Sequence, residues 1–308
     1  MKHAISVDLE EYFHVSNFSN VIARRRWEAL PSRLLDPTRR LLDLFDEKGA
    51  RATFFVLGWV AERHASLVRE IAARGHEIAC HGYEHALVYE LGPRRFRADI
   101  QRAVTAIEDA SGHTPRGFRA PSFSIVRRSL WALDILAEEG FHYDSSIFPV
   151  RHPRYGMPGF PSGPTQLDLE GGLSIREFPM TTAPVLGWRL PVAGGGYLRF
   201  LPAPIFRWAF CRAARRGPTV LYVHPWELDP EQPQLRVGLK TRLIHYHNLH
   251  RTETRLRQMV GRIRFESIAT VLAWCEASGQ LPRRSLLDVV AASDDPSTEP
   301  AVAEWAQG

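Results

Sequence analysis

The stretch HEIACHGYEH, residues 76–85, joins a short apolar run to a loop that carries two histidines. The run over residues 76–80 predicts a strand, and Gly82 lets the backbone bend directly after His81. The imidazoles of His81 and His85 can therefore converge where the strand ends. Imidazole is the commonest metal ligand in proteins, and two imidazoles leave room for a carboxylate. Two histidines in an ordinary turn have the same spacing, so the interpretation depends on the rest of the chain.

Strands and helices alternate on both sides of this stretch. Three more strands are predicted from short apolar runs, at residues 4–9, 51–57 and 117–121. Apolar residues at helical spacing predict helices over residues 37–48, 62–74, 93–110 and 127–140. This alternation is typical of βα units, so we predict an α/β fold with a parallel sheet or barrel.

The second half of the chain departs from this alternation. Residues 149–172 are rich in Gly and Pro and predict a long insertion over one face. Residues 173–179 and 185–190 predict two strands of a smaller antiparallel addition. The remaining predicted elements are a helix (205–215), a buried strand (219–223), a basic helical stretch (236–264), a closing helix (268–277) and, beyond residue 286, a disordered tail.

The composition is that of a soluble globular protein. Of 308 residues, 44% are hydrophobic and 24% are charged, and three widely spaced cysteines imply no disulfide framework. The net charge of +5 comes from arginine clusters without a stripe of interleaved aromatic residues, so we expect no nucleic-acid partner. No signal-peptide pattern or membrane-length apolar run is visible. We therefore expect a cytoplasmic protein without an integral membrane segment.

Unusual polar side chains lie at the ends of four predicted strands: Asp8 and Glu10, His81 and His85, Arg119, and His224. The carboxyl ends of parallel strands meet at one edge of a sheet, so we expect these groups to form one site. Two histidines and a carboxylate with an open position bind a divalent ion and acidify its water. A second carboxylate could accept a proton, a separate histidine could donate one, and an arginine would keep the carboxylate ionised.

The ordered set of motifs resembles one protein family. The set comprises Asp-x-Glu at 8–10, His-Gly-Tyr-Glu-His at 81–85, Arg-Ala-Pro at 119–121 and Leu-Tyr-Val-His at 221–224. It is similar to the polysaccharide deacetylases of the NodB-homology type, carbohydrate esterase family four, over roughly residues 4–227. The stretches SVDLEEYF (6–13) and HPWE (224–227) are similar to the branch found beside exopolysaccharide and exosortase (PEP-CTERM) loci.

The resemblance implies a distorted (β/α) barrel of the NodB type with a short helical C-terminal extension. The implied roles are general base for Asp8, metal ligands for His81 and His85, partner of the base for Arg119, general acid for His224, and oxyanion-hole backbone N–H for Ser122. We expect domain limits at residues 1–227 for the deacetylase-like part, 228–285 for the extension and 286–308 for the tail.

Two assignments differ from the common family pattern or stay open. The family usually has adjacent aspartates, of which the second binds metal, whereas Asp8 is followed here by Leu9. Alternation along a strand returns Glu10 to the face of Asp8, so we predict Glu10 rather than Glu11 as the metal ligand. For the carboxylate that steadies His224, Asp144 is one candidate, although it could instead cap the Ser145–Ser146 turn. Asp229 is a weaker candidate.

The resulting hypothesis is a metal-dependent hydrolase that removes N-acetyl groups from amino sugars of a polysaccharide, in exopolysaccharide biosynthesis. Zinc is the expected ion, and cobalt or nickel would also suit two histidines and one carboxylate. Two alternatives remain: a hydrolase of the same scaffold that acts on cyclic amides or O-acetyl esters, and a carbohydrate- or metal-binding module without activity.

Overall fold

The computed structural model describes residues 1–152 and 154–292. Twelve strands occur within these residues. They are β1 (His3–Leu9), β2 (Thr53–Val56), β3 (Glu77–Cys80), β4 (Gly117–Phe118), β5 (Tyr143–Asp144), β6 (Thr165–Asp168), β7 (Ser174–Glu177), β8 (Thr182–Val185), β9 (Trp188–Pro191), β10 (Val220–Val223), β11 (Phe265–Glu266) and β12 (Arg283–Ser285).

Eleven α-helices occur in the same part of the chain. They are α1 (Leu35–Lys48), α2 (Gly58–Arg63), α3 (Ala65–Ala73), α4 (Val88–Ser111), α5 (Trp131–Glu138), α6 (Gly196–Phe200), α7 (Ala203–Ala214), α8 (Leu239–Tyr246), α9 (Leu249–Val260), α10 (Ile268–Ala277) and α11 (Leu286–Ala292). No helix among the described residues is both long enough and apolar enough to cross a bilayer.

A ten-stranded sheet organises the molecule, in the order β10-β1-β2-β3-β4-β5-β7-β6-β12, with β11 also pairing to β1. All of its pairings are parallel except β6 with β7. The α/β prediction is therefore confirmed. Within the described residues the order is an open path, because its end strands β10 and β12 do not pair with each other.

Strand β1 shows why the centre of this sheet is buried on both faces. Its alternate residues Ile5, Val7 and Leu9 pack into the main hydrophobic cluster, whereas Ala4 belongs to a second cluster on the other face. Helices cover both faces of such a parallel sheet, so a near-continuous apolar run forms the strand. Asp8 lies on the face of Ala4 and is nevertheless buried, which marks it as a position with a special partner.

Several predicted boundaries were wrong for identifiable reasons. The helix predicted over 62–74 is interrupted at His64, and the basic stretch over 236–264 is two helices separated at His247 and Asn248, where Asn248 adopts a left-handed conformation (φ +55°). Residues 173–179 do not belong to a separate addition, because β7 pairs in parallel with β5 in the main sheet. Residues 185–190 are not one strand, because Leu186 and Gly187 form the turn of the β8–β9 hairpin.

The C-terminal part is more integrated with the sheet than a helical extension would be. Strand β11 pairs with β1, and β12 pairs with β6. Residues 286–292 were predicted to belong to a disordered tail, but they form α11, which buries Val289. Residues 293–308 of that expected tail lie outside the described residues, and the domain limits stay a prediction.

Candidate active site

Sheet register brings the four predicted strand ends together. Val223 at the end of β10 pairs with Val7 of β1, so the following His224 lies beside Asp8. Cys80 at the end of β3 pairs with Phe118 of β4, so His81 and Arg119 are neighbours as well. The site therefore forms at the carboxyl edge of the sheet, where reacting groups of α/β proteins collect.

Three buried side chains form the candidate metal centre. Glu10, His81 and His85 each offer one ligand atom, and these atoms lie within 4.8 Å of one another. The Oε2 atom of Glu10 is 3.1 Å from Nε2 of His85, yet it is buried and has no hydrogen-bond partner. An unsatisfied carboxylate oxygen beside an imidazole nitrogen is costly unless a cation joins them. The donor set therefore fits a divalent ion.

His81 is oriented as metal-binding histidines usually are. Its Nδ1 atom lies 2.7 Å from the carbonyl oxygen of Arg119. Because a carbonyl can only accept, Nδ1 carries the proton and the Nε2 lone pair is available for an ion. Burial lowers the pKa of His81 to about 4 and lowers the pKa of His85 well below its usual value. Both rings are therefore neutral at physiological pH, which is the form that binds metal.

Glu11 lies close to Glu10 in sequence but not in the site. Its carboxylate accepts hydrogen bonds from the hydroxyl of Ser32 and from the backbone N–H of Arg33, the latter at 3.0 Å. The structure thus brings Glu10, and not Glu11, to the two histidines, as strand alternation predicts. The ligand role of Glu10 stays a prediction.

A buried ion pair supports the predicted general base. The Nη1 atom of Arg119 donates to Oδ1 of Asp8 at 2.7 Å and to the hydroxyl of Ser6 at 2.7 Å. Burial by itself would raise the pKa of Asp8, but the adjacent Arg119 guanidinium, together with His81 and His224, outweighs it, so that the pKa is lowered. Arg119 is fully buried and is further held by the carbonyl and hydroxyl of Ser145. Asp8 is therefore ionised and rigidly placed.

His224 lies between two carboxylates. Its Nε2 is 3.1 Å from Oε1 of Glu10, and its Nδ1 is 3.0 Å from Oε2 of Glu227. Burial would lower the pKa of His224, but the hydrogen bond to Glu227 and the charge of Glu10 raise it to about 9. Glu227 in turn is paired with Arg199 at 2.7 Å, and both side chains are buried. Although burial opposes it, the charge of this arginine and the contacts with His224 together lower the pKa of Glu227 to about 2.

The partner of His224 corrects the sequence prediction. Asp144 accepts hydrogen bonds from the hydroxyl and the N–H of Ser146, at 2.6 and 3.1 Å, so it caps the turn instead. Asp229 pairs with Arg33, whose Nη2 donates to it at 2.9 Å. The carboxylate that contacts His224 is therefore Glu227, and neither Asp144 nor Asp229. A signal was present, because Glu227 follows His224 by three residues across Pro225, the spacing of a helix-start capping pair.

Ser122 lies in the short turn Pro121–Phe123 that follows Arg119 and Ala120. It has a positive φ of +50°, uncommon for a residue other than glycine, and its hydroxyl is 2.7 Å from that of Ser16. Because of this conformation, the backbone N–H of Ser122 points in a direction that it would not have in a regular helix or strand. The oxyanion-hole role of its N–H stays a prediction.

Known proteins match this chain in two consecutive segments. Residues 32–141 match the family model of polysaccharide deacetylases, and residues 145–273 match a model described as a domain of unknown function, DUF3473. The peptidoglycan deacetylase-like protein FGM2 of Gibberella zeae is 33% identical over 110 residues, 35% of this chain and 32% of that protein. The peptidoglycan-N-acetylglucosamine deacetylase of Bacillus cereus is 31% identical over 101 residues, 32% of this chain and 37% of that protein.

These matches support the polysaccharide deacetylase family. The matched part spans about one third of the length of each of those two relatives. In fold, the chain matches a Mycobacterium smegmatis protein assigned to the polysaccharide deacetylases, with a TM-score of 0.58 at 21% identity, over 92% of this chain and 93% of that one. His81, His85 and Arg119 lie inside the deacetylase match, whereas His224 and Glu227 lie inside the DUF3473 match.

Proposed function

We propose that this chain is a metal-dependent deacetylase that hydrolyses N-acetyl groups on the amino sugars of a polysaccharide. The observation that carries the proposal is the convergence of three groups of side chains at one sheet edge. Glu10, His81 and His85 offer a cation site, Asp8 offers a buried base, and His224 offers a partly exposed acid. A binding module needs the first group but not the other two.

The residues of the chain divide the reaction between them. Glu10, His81 and His85 would hold the ion, which when bound supplies Lewis acidity toward a carbonyl and lowers the pKa of water. Asp8, kept ionised by Arg119, accepts the proton of the attacking water. The backbone N–H of Ser122 donates to the oxygen that becomes negative. His224 gives its proton to the departing nitrogen, so that the C–N bond breaks and acetate and a free amine are released.

Finer aspects of the proposal rest on the sequence and on the donor set. Zinc is the proposed ion because two imidazoles and one carboxylate suit it. The exopolysaccharide role and the exosortase-locus branch are supported by the similarity of residues 6–13 and 224–227. We propose the cytoplasm as the compartment, a choice that agrees with the three free cysteines.

The test is acetate release by the purified chain, measured before and after chelation and again after zinc is restored. Oligomers of N-acetylglucosamine, O-acetylated glycans and a cyclic amide of the hydantoin class form the substrate panel. Acetate release from the first group that depends on zinc supports the proposal. Turnover of the cyclic amide or of O-acetyl esters alone would favour the alternative hydrolases, and good metal occupancy without any turnover would favour a binding module.

A further inference from the structure

Two stretches of the chain carry basic residues and no acidic ones. Residues 178–226 contain six arginines, and residues 232–252 contain four basic residues, with no Asp or Glu in either stretch. Arg199 is buried and paired with Glu227, but the other nine basic residues still carry more positive charge than the whole chain, whose net charge is +5. The remainder of the chain is therefore net negative. A separation of charge of this size creates a field that selects for an anionic partner.

Exposed hydrophobic side chains concentrate in the same two stretches. Within the residues that the structure describes, twelve large hydrophobic side chains are exposed, and seven of them lie here. The seven are Leu186, Trp188, Phe200, Ile205, Trp208, Leu239 and Leu243. Single exposed apolar residues are ordinary, but a concentration of them beside basic charge marks an interaction surface. We call these seven residues and the exposed basic residues among them the docking face.

Helix α7 shows how the face is built. Its inner side buries Phe206 and Phe210 against the core. Its outer side presents Ile205 and Trp208, which lie three residues apart on one helical face, and the exposed Arg215 and Arg216 directly follow its last residue. The outer side of the helix is thus apolar, and the segment just after the helix is basic. An apolar outer side adds nothing to the packing of a single chain, so a partner is needed to bury it.

The other elements of the face are joined to α7 or to its neighbour α6. On one side, Nε of Arg212 donates to the carbonyl of Pro184 at 2.9 Å, which fastens the β8–β9 hairpin to α7. On the other side, the ring of Phe200 stacks on His247 at 4.8 Å, just after α8. Helix α8 then exposes Leu239 and Leu243, four residues apart, together with Lys240.

The tip of the β8–β9 hairpin carries a leucine that makes no stabilising contact with the rest of the described chain. Leu186 and Gly187 form a two-residue turn with φ angles of +50° and +82°. Glycine and asparagine suit such a turn, whereas a leucine is strained in it. Leu186 is 94% exposed, so it gains no packing in return. A strained and fully exposed leucine is explained if it contacts something outside the chain.

The arginines of the face are uncompensated. Arg215 and Arg216 have no ion pair with any described residue, whereas elsewhere Arg74 contacts two aspartates and a glutamate, and Arg97 contacts two glutamates. Since the acid-free stretches supply no partner, these charges are available to an external anion.

We propose that the docking face binds the surface of an anionic lipid bilayer. Leucine and isoleucine tips insert among acyl chains, tryptophan rings lie at the level of the head groups, and arginines pair with lipid phosphates. A nucleic acid fits less well, because the most exposed positions, Leu186 and Leu239, are aliphatic and offer no platform for base stacking. This proposal is independent of the proposed deacetylase activity.

The test is co-sedimentation of the full chain with large vesicles of phosphatidylcholine, either pure or with about one third phosphatidylglycerol. We expect strong partition only onto the anionic vesicles. Arg215→Gln/Arg216→Gln should weaken partition about 25-fold, since each basic residue near an anionic surface contributes about fivefold. Leu186→Ser should weaken it about tenfold, the usual effect of one inserted leucine. Both sites are exposed, so melting temperature should not change.

Matched variants elsewhere on the surface separate location from total charge and hydrophobicity. Arg25→Gln/Arg26→Gln removes the same charge from an exposed turn, and Leu287→Ser removes a leucine that is 63% exposed. Both should bind like the parent protein. Equal losses in control and face variants would overturn the proposal, as would equal partition onto the two kinds of vesicle or no partition at all. Displacement from anionic vesicles by single-stranded nucleic acid at low concentration would also overturn it, in favour of that ligand.

Discussion

The carboxylate that completes the cation site gives the sharpest test of the proposed function. We predict that Glu10→Gln weakens zinc binding by more than 100-fold, whereas Glu11→Gln changes it by less than about threefold. Glu10 lies within 4.8 Å of both histidine ligand atoms. Because both imidazoles are neutral, Glu10 is the anionic member of the proposed donor set. Glu11 instead points to Ser32 and the N–H of Arg33.

The magnitude follows from what each substitution removes. Loss of a group that only orients a ligand usually costs 10–100-fold in metal affinity, so loss of a ligand itself should exceed the upper value, about 2.7 kcal/mol. Glu11→Gln keeps an acceptor but removes its charge from two hydrogen bonds, so it should lower the free energy of unfolding by about 1–2 kcal/mol. The two variants are thus expected to fail in different measurements.

Zinc affinity is measured by competition with a chromophoric chelator at pH 7.5, and unfolding by urea titration of the metal-free proteins. His81→Ala serves as the reference for a lost ligand and should resemble Glu10→Gln in the first measurement. If Glu11→Gln loosens zinc and Glu10→Gln does not, Glu11 is the ligand and the assignment moves by one residue. If neither variant affects zinc, the cation site is elsewhere.

Three further predictions concern the acid, the base and pH. Asp8→Asn should keep zinc but lose about 10²–10⁴-fold in kcat, the usual contribution of a general base; near-normal kcat would show that no protein base is needed. Glu227→Gln should lower the upper pKa of the kcat profile, because this carboxylate raises the pKa of His224; an unchanged profile would separate the two groups. Burial lowers the pKa of His76 to about 4 in the folded protein. As the pH falls, the imidazole of His76 is therefore protonated in the unfolded chain before it is protonated in the folded one. The free energy of unfolding should accordingly fall by roughly 1–3 kcal/mol between pH 6.5 and pH 4. His76→Asn, which preserves an acceptor for the Ala52 N–H, should reduce that slope in urea titrations, and an unaltered slope would assign it to other groups.

Much of the fold could be predicted from local patterns of apolar residues and glycines in the sequence. Strands β1, β2 and β3 are buried on both faces, so their apolar runs are visible without any tertiary information. Glycines that end helices, such as Gly49 with φ +61°, mark the boundaries between successive βα units. Alternation, continued one residue past the last residue of β1, also predicted Glu10 on the face of Asp8. These features depend on neighbours in sequence, which is why they could be predicted.

The partner of His224 was decided mainly by tertiary structure. Asp144, Asp229 and Glu227 are all carboxylates near strand ends, and the one local signal, the three-residue spacing of Glu227 from His224, does not show which of them is buried beside a countercharge. The choice depends on Arg199, which lies 28 residues before Glu227, is buried with it and keeps it ionised. Such a pair is stable only where the fold excludes water and supplies the countercharge, and neither condition is written in a short stretch of sequence.

The docking face also has some features that the sequence shows and others that only the tertiary structure shows. The absence of acidic residues over 178–226 is visible in the sequence, and so is the strongly basic balance of the chain. The sequence does not show that Leu186, Trp208 and Leu239 are exposed, because apolar residues at these spacings are ordinarily buried. Exposure depends on which side of each helix and hairpin the sheet covers. The sequence by itself therefore determined the charge of this surface, and only the packing of α7 and the hairpin against the core decided which hydrophobic side chains were left outside.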